Sequence, residues 1–206
     1  VDGGLSAMRP RALLSAAALV LLAALLQGPH VAAAFSNEGG GYTHPYPVGL
    51  VPGDIVIGHS PLTDPLIPGY WTHVGIVAYY DADAGDWVIV EAMPGDGVHL
   101  VTLREFMRRY DTVAVLRVAT TQEIRDAAVA FALQQLGKPY DYAWFTKEVY
   151  GDSYYCSELA WAAYKAAGGP DIDANPGWTL KYLDGVAPQE IYDDADTYVI
   201  YYHSVG

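Results

Sequence analysis

The amino-acid sequence predicts an α+β fold in which a mainly antiparallel sheet packs against helices. Three observations carry this expectation. Short runs of β-branched and aromatic residues, bounded by turn residues, crowd the middle of the chain and return near its C-terminus. Two segments of helical spacing lie between them, one opened by a Thr-x-x-Glu sequence and one by a cysteine. Strands and helices are grouped rather than alternating, which disfavours a parallel α/β sheet.

The elements follow in chain order. Residues 1–34 read as a signal peptide that starts at Met8: Met8, Arg9 and Arg11 form a basic head, and residues 12–26 carry no charge. Ala32-Ala33-Ala34 then offers a small-residue cleavage site before Phe35. The apolar run of 15 residues is shorter than the ~20 of a spanning helix, so an uncleaved anchor is the competing reading. Residues 35–52, rich in Gly, Asn, Thr, Tyr and Pro, read as an extended N-terminal arm. Residues 53–206 then form a single domain, with room for one core and not for a second.

Within that domain, Gly53-Asp54-Ile55-Val56-Ile57-Gly58 is a strand, and the three prolines of residues 59–70 make the next stretch a loop. Residues 71–80 and 87–92 form a hairpin, residues 98–101 and 113–118 two more strands, and residues 103–110 a short helix. A longer helix starts at a capping box, Thr120-Thr121-Gln122-Glu123, and stops at Gly137 and Pro139. A last helix runs from Cys156 to Ala167, ended by Gly168-Gly169-Pro170, and residues 197–202 return as a strand.

Charge and cysteine count narrow the function classes. The formal net charge is −13, and it becomes −14 without residues 1–34. Nucleic acid and anionic lipid are therefore repelled partners. The one cysteine cannot form an internal disulfide, so it is either an inert buried thiol or a reactive one.

Cys156 stands where a helix begins. Unsatisfied backbone N–H groups and the positive end of the helix dipole would stabilise a thiolate there, and could also receive an oxyanion. A thiolate nucleophile needs a base that later serves as acid, the task histidine suits. Of the six histidines, His30, His44, His99 and His203 sit in the signal segment, the arm, a strand near a turn and the tail. His59 lies in the proline-rich loop. His73 opens Thr72-His73-Val74-Gly75-Ile76-Val77, where a strand fixes its direction and Gly75 leaves space on the same face. The third group is Glu91, after Val88-Ile89-Val90 on the strand expected to pair with that of His73. The plain alternatives are a buried structural cysteine, a core histidine and a glutamate exposed at a sheet edge. A metal site of His59, Asp64, His73 and Glu91 matches no zinc spacing.

The ordered set Pro52-Gly53-Asp54-Ile55-Val56, Thr72 to Val77, Val90-Glu91-Ala92, Gly137-Lys138-Pro139-Tyr140-Asp141 and Tyr155-Cys156-Ser157-Glu158-Leu159 resembles the YiiX/YebB-like branch of the NlpC-type permuted papain-fold cysteine hydrolases. The resemblance covers residues 51–191. It implies a permuted papain-like fold, with histidine before cysteine in the chain, and a Cys-His-Glu triad of Cys156, His73 and Glu91. It also implies that Tyr140, Asp141 and Tyr155 lie at the substrate cleft. No cofactor or metal is implied.

The resulting expectation is an exported cysteine amidase or peptidase, secreted or held in the cell envelope, that cleaves an amide bond of a peptide or cell-wall-derived peptide. Relatives in the wider permuted group include lecithin:retinol-type lipid acyltransferases, which commonly place a second histidine where this chain has Glu91. A lipid acyltransferase or thioesterase is thus the first rival, with a lipid as partner. An inactive ligand-binding module is the second.

Overall fold

The computed structural model describes residues 40–63 and 67–205. The signal-peptide reading of residues 1–34 lies outside them. Six strands form one sheet: β1 (Ile55–His59), β2 (His73–Asp81), β3 (Asp86–Met93), β4 (Gly97–Thr102), β5 (Thr112–Val118) and β6 (Thr197–Ser204). Their order is β4-β3-β2-β1-β5-β6, and every pairing is antiparallel. The helices are α1 (Leu103–Arg108), α2 (Gln122–Gln134), α3 (Cys156–Ala166) and α4 (Pro188–Asp193).

Side-chain alternation along the central strands explains the layering. Val74, Ile76, Val90 and Ala92 face the larger core, where Ala128, Ala132, Leu159 and Ala163 of α2 and α3 cover the sheet. Val56, Val77, Ile89 and Val115 face the other side, covered by Leu103, Phe106 and Met107 of α1. Both faces of β1, of residues 73–78 in β2 and of residues 88–93 in β3 are therefore dry, which is why these stretches read as near-continuous apolar runs.

Several details differ from the sequence expectation, and three of them have a clear local reason. The N-cap of α2 is Thr121 rather than Thr120: its hydroxyl accepts from the Ile124 N–H, while the Thr120 N–H turns back to the Val118 carbonyl. β1 extends to His59, because its last pairing, His59 opposite Thr112, carries the ladder past the expected loop start. The short helix α4 was not anticipated; Pro188 at its first turn is the signal that marks it.

The described part of the arm, residues 40–52, is docked against the domain. Tyr42 N–H donates to the Arg108 carbonyl at 3.1 Å, and the Tyr46 hydroxyl donates to Asp86 at 2.6 Å. At the domain entry, the buried Asp54 carboxylate receives Nε and Nη2 of Arg117 at 2.7 and 2.8 Å. This fork ties β1 to β5 and fixes the sheet centre from which β2 takes its register.

Candidate active site

α3 begins at Cys156, and Tyr155, its N-cap, has extended backbone (φ −91°, ψ 169°). The buried Glu158 carboxyl accepts from the Tyr155 N–H at 3.2 Å and the Glu148 N–H at 2.7 Å, holding the helix start against the preceding loop. Cys156 is reduced and 6 % exposed. The His73 ring, the Val74 N–H and the Ser157 side chain all act on its thiol, so the N-terminus of α3 meets the first residues of β2.

His73 Nε2 lies 2.8 Å from Glu91 Oε2. With that nitrogen taken, Nδ1 is the ring nitrogen left to serve the thiol. Register explains the alignment: Gly75 stands opposite Glu91 in the β2–β3 ladder, so His73, two residues away, shares the face of the glutamate. Glu91 is fully buried on an interior strand, which removes the exposed-edge alternative.

Two further cations converge on the same carboxylate. Arg109 Nη2 donates to Glu91 Oε2 at 2.6 Å. His99 Nε2 approaches Oε1 at 3.2 Å as an ion pair, off the direction of a good hydrogen bond. Its Nδ1 faces the Gly97 carbonyl at 3.1 Å. Sequence reasoning missed both roles. The signal for His99 was present, since β4 pairs it directly with Glu91; nothing local marks Arg109.

Electrostatics follow from this geometry. Burial alone would push the Glu91 carboxyl up, but the Arg109 guanidinium and the two imidazoles hold it well below the usual carboxylate range. Burial would lower His73, yet the Cys156 sulfur and Glu91 outweigh it and raise the imidazole to about 9. The Cys156 thiol is pulled below its ordinary value by the His73 imidazolium, against the burial that opposes thiolate. A thiolate–imidazolium pair is the state these shifts describe.

Cys156 lines an open cleft. Tyr140 and Tyr155 line it, together with Ile67, Tyr142, Trp144 and Val186. Among the described residues, no Asp, Glu, Lys, Arg or His side chain lines it. Tyr155 also joins the walls, donating its hydroxyl to the Thr146 carbonyl at 3.0 Å and accepting from the Val186 N–H at 2.9 Å. Asp141, expected at the cleft, is absent from its lining; its carboxylate accepts from the Ala143 N–H at 2.7 Å and shapes the turn that carries Tyr142 and Trp144.

The other histidines stand apart from the thiol. His59 Nδ1 pairs with Asp111 at 2.6 Å and its ring stacks on Tyr70. His44 meets His203 at 2.9 Å, tying the arm to β6. Among the described residues, no group of three or more His, Cys, Asp and Glu side chains is placed to hold a metal ion.

An antiparallel sheet whose histidine and glutamate strands precede a helix headed by cysteine defines a permuted papain-like α+β protein. Residues 50–201 match the permuted papain-like amidase family YaeF/YiiX, C92, and the chain belongs to that family. The chain is similar to the uncharacterized protein YycO of Bacillus subtilis (strain 168), 29 % identical over 133 residues that cover 64 % of this chain. It spans about half the length of that curated relative, 50 %. Among solved structures it resembles the metalloprotein YiiX of Escherichia coli O157:H7, with a TM-score of 0.58 and 22 % identity over 74 % of this chain and 97 % of that one. That likeness is one of fold.

Proposed function

We propose that this protein is a cysteine amidase that hydrolyses an amide bond of a peptide or cell-wall-derived peptide. The observation that carries the reading is the buried His73–Glu91 pair, 2.8 Å apart, set beside the Cys156 thiol at the head of α3. The Cys156 thiolate adds to the substrate carbonyl carbon, and the oxyanion forms against the Cys156 N–H at the head of α3. The His73 imidazolium gives its proton to the leaving nitrogen as the C–N bond breaks, leaving a thioester on Cys156. The neutral ring then takes a proton from water, whose oxygen attacks the thioester. The acid leaves, and the thiolate and imidazolium are restored. Glu91 keeps the ring oriented throughout. Export follows from the reading of residues 8–34 as a signal segment and places this activity outside the membrane.

The uncharged, aromatic lining of the cleft favours a second reading, in which the acyl group is lipid-like and the bond an ester. Paired amide and ester substrates sharing one acyl group separate the two, with Cys156→Ser as the blank. Faster Cys156-dependent release from the amide supports the amidase; turnover of the ester alone, or transfer of the acyl group to an added alcohol, replaces it with the lipid reading. No Cys156-dependent release from either leaves a binding module.

A further inference from the structure

The helix that covers the second face of the sheet does more than close a core. Phe106, Arg109 and Tyr110 stand at i, i+3 and i+4, so they share one side of α1 and its C-cap. The Phe106 and Tyr110 rings pack against the His73 ring as one aromatic cluster, with centroids at 5.5 and 5.8 Å, the latter stacked at 18°. The Arg109 guanidinium lies over both rings at 5.1 and 5.5 Å and reaches Glu91 Oε2, the same oxygen that receives His73. Space for these rings is made by glycine. A Cβ at Gly58 would stand 2.3 Å from the Tyr110 ring, and one at Gly75 would stand 3.2 Å from Phe106.

We propose that Arg109 is a positioning residue for the catalytic pair, acting through Glu91 to keep the carboxylate ionised and aimed at His73. This rests on the amidase reading above. With Cys156 and Glu91 both anionic and His73 cationic, the buried cluster needs one more positive charge to be neutral. Arg109 supplies it permanently, because guanidinium does not deprotonate. His99, also on Glu91, titrates and is 31 % exposed, so it cannot supply a fixed charge. Stability alone is a poor account of the arrangement, since a buried ion pair is often replaceable by apolar residues without loss. Arg109 Nε, moreover, is buried without a hydrogen-bond partner among the described residues. Burial holds neutral Tyr110, which faces Glu91 and Cys156, and Tyr140 and Tyr155, which face Cys156 from the cleft; Glu105 faces Arg109 from α1.

The test is the pH profile of Cys156 alkylation by iodoacetamide in the full chain, comparing wild type, His73→Ala, Arg109→Met and Arg109→Lys. Removing the cation makes every group in the cluster harder to deprotonate. Arg109→Met should therefore move the acid limb up by about one pH unit. Arg109→Lys keeps a positive charge at the pH of the acid limb, though a buried ammonium can lose it at higher pH, and should shift the limb by less than about half as much as Arg109→Met. If the methionine variant does not fold, Arg109→Gln, which keeps a donor but no charge, takes its place with the same expected shift. A folded Met or Gln variant with a wild-type limb, or a Lys variant shifted about one unit, overturns the proposal. A wild-type thiol that titrates near about 8.5 and ignores His73→Ala removes the triad reading, and this proposal with it. A limb that depends on His73 but not on Arg109 removes this proposal alone.

Discussion

Glu91→Gln removes one charge from the centre of the site while nearly preserving its shape. The amide oxygen can take the place of Oε2 and accept from both His73 and Arg109, which share that atom. The amide nitrogen then faces His99 Nε2, which is free to accept when the imidazole is neutral and its Nδ1–H points at the Gly97 carbonyl. What is lost is the charge itself. An adjacent carboxylate favours an imidazolium by about 1 to 3 pKa units, so His73 should fall from about 9 toward the ordinary histidine range. That fall is about 1.4 to 4 kcal/mol of lost stabilisation of the protonated ring. Arg109 is meanwhile left buried with no counterion, a loss of about 3 to 5 kcal/mol. In a domain of this size that corresponds to a melting temperature lower by roughly 6 to 20 °C. The assay is a ring-carbon NMR titration, with the His73 signal assigned by its absence in His73→Ala, alongside a thermal melt. A His73 titration within about 0.3 unit of wild type, in a variant that melts at the wild-type temperature, would refute the electrostatic account of Glu91.

Other outcomes follow from single contacts. Amide hydrolysis should decline as pH rises through about 9, where the His73 imidazolium that protonates the leaving nitrogen is lost, and a rate still climbing at pH 10 contradicts the assignment of the acid. Gly58→Ala places a Cβ 2.3 Å from the Tyr110 ring. It should cost about 1 to 3 kcal/mol in denaturant melts, since the ring has to move. Glu158→Gln keeps one acceptor where two oxygens now receive the Tyr155 and Glu148 N–H groups. One amide is orphaned, and stability should fall by about 1 to 3 kcal/mol; an unchanged melt would show that the carboxyl does not hold the start of α3.

How much of this was legible in the sequence depends on how local the signal is. The strands of β1, β2, β3 and β5 announced themselves through β-branched runs between turn residues, and α3 through its cysteine head and its glycine stop. The antiparallel order followed from short connections such as the 81–86 turn. Cys156, His73 and Glu91 were each readable because a helix start or strand end is a local feature, and their order in the chain matched a family pattern. Arg109 was not readable, since its partner lies on β3 and only the packing of α1 across the sheet brings the two together. His99 lay between these cases: its strand was foreseen, but the register that sets it opposite Glu91 was not. For Asp141 the sequence was ambiguous, because an aspartate that caps its own turn has the same sequence as one that faces a substrate.

The central claim is that Cys156 is an ionised nucleophile paired with His73, and the most direct test is the rate of its alkylation by iodoacetamide from pH 5 to 10 in wild type and His73→Ala. The account predicts a wild-type rate that stays high down to about pH 6 and collapses in the variant. A slow rate that rises only near pH ~8.5 and is the same in both proteins would contradict it.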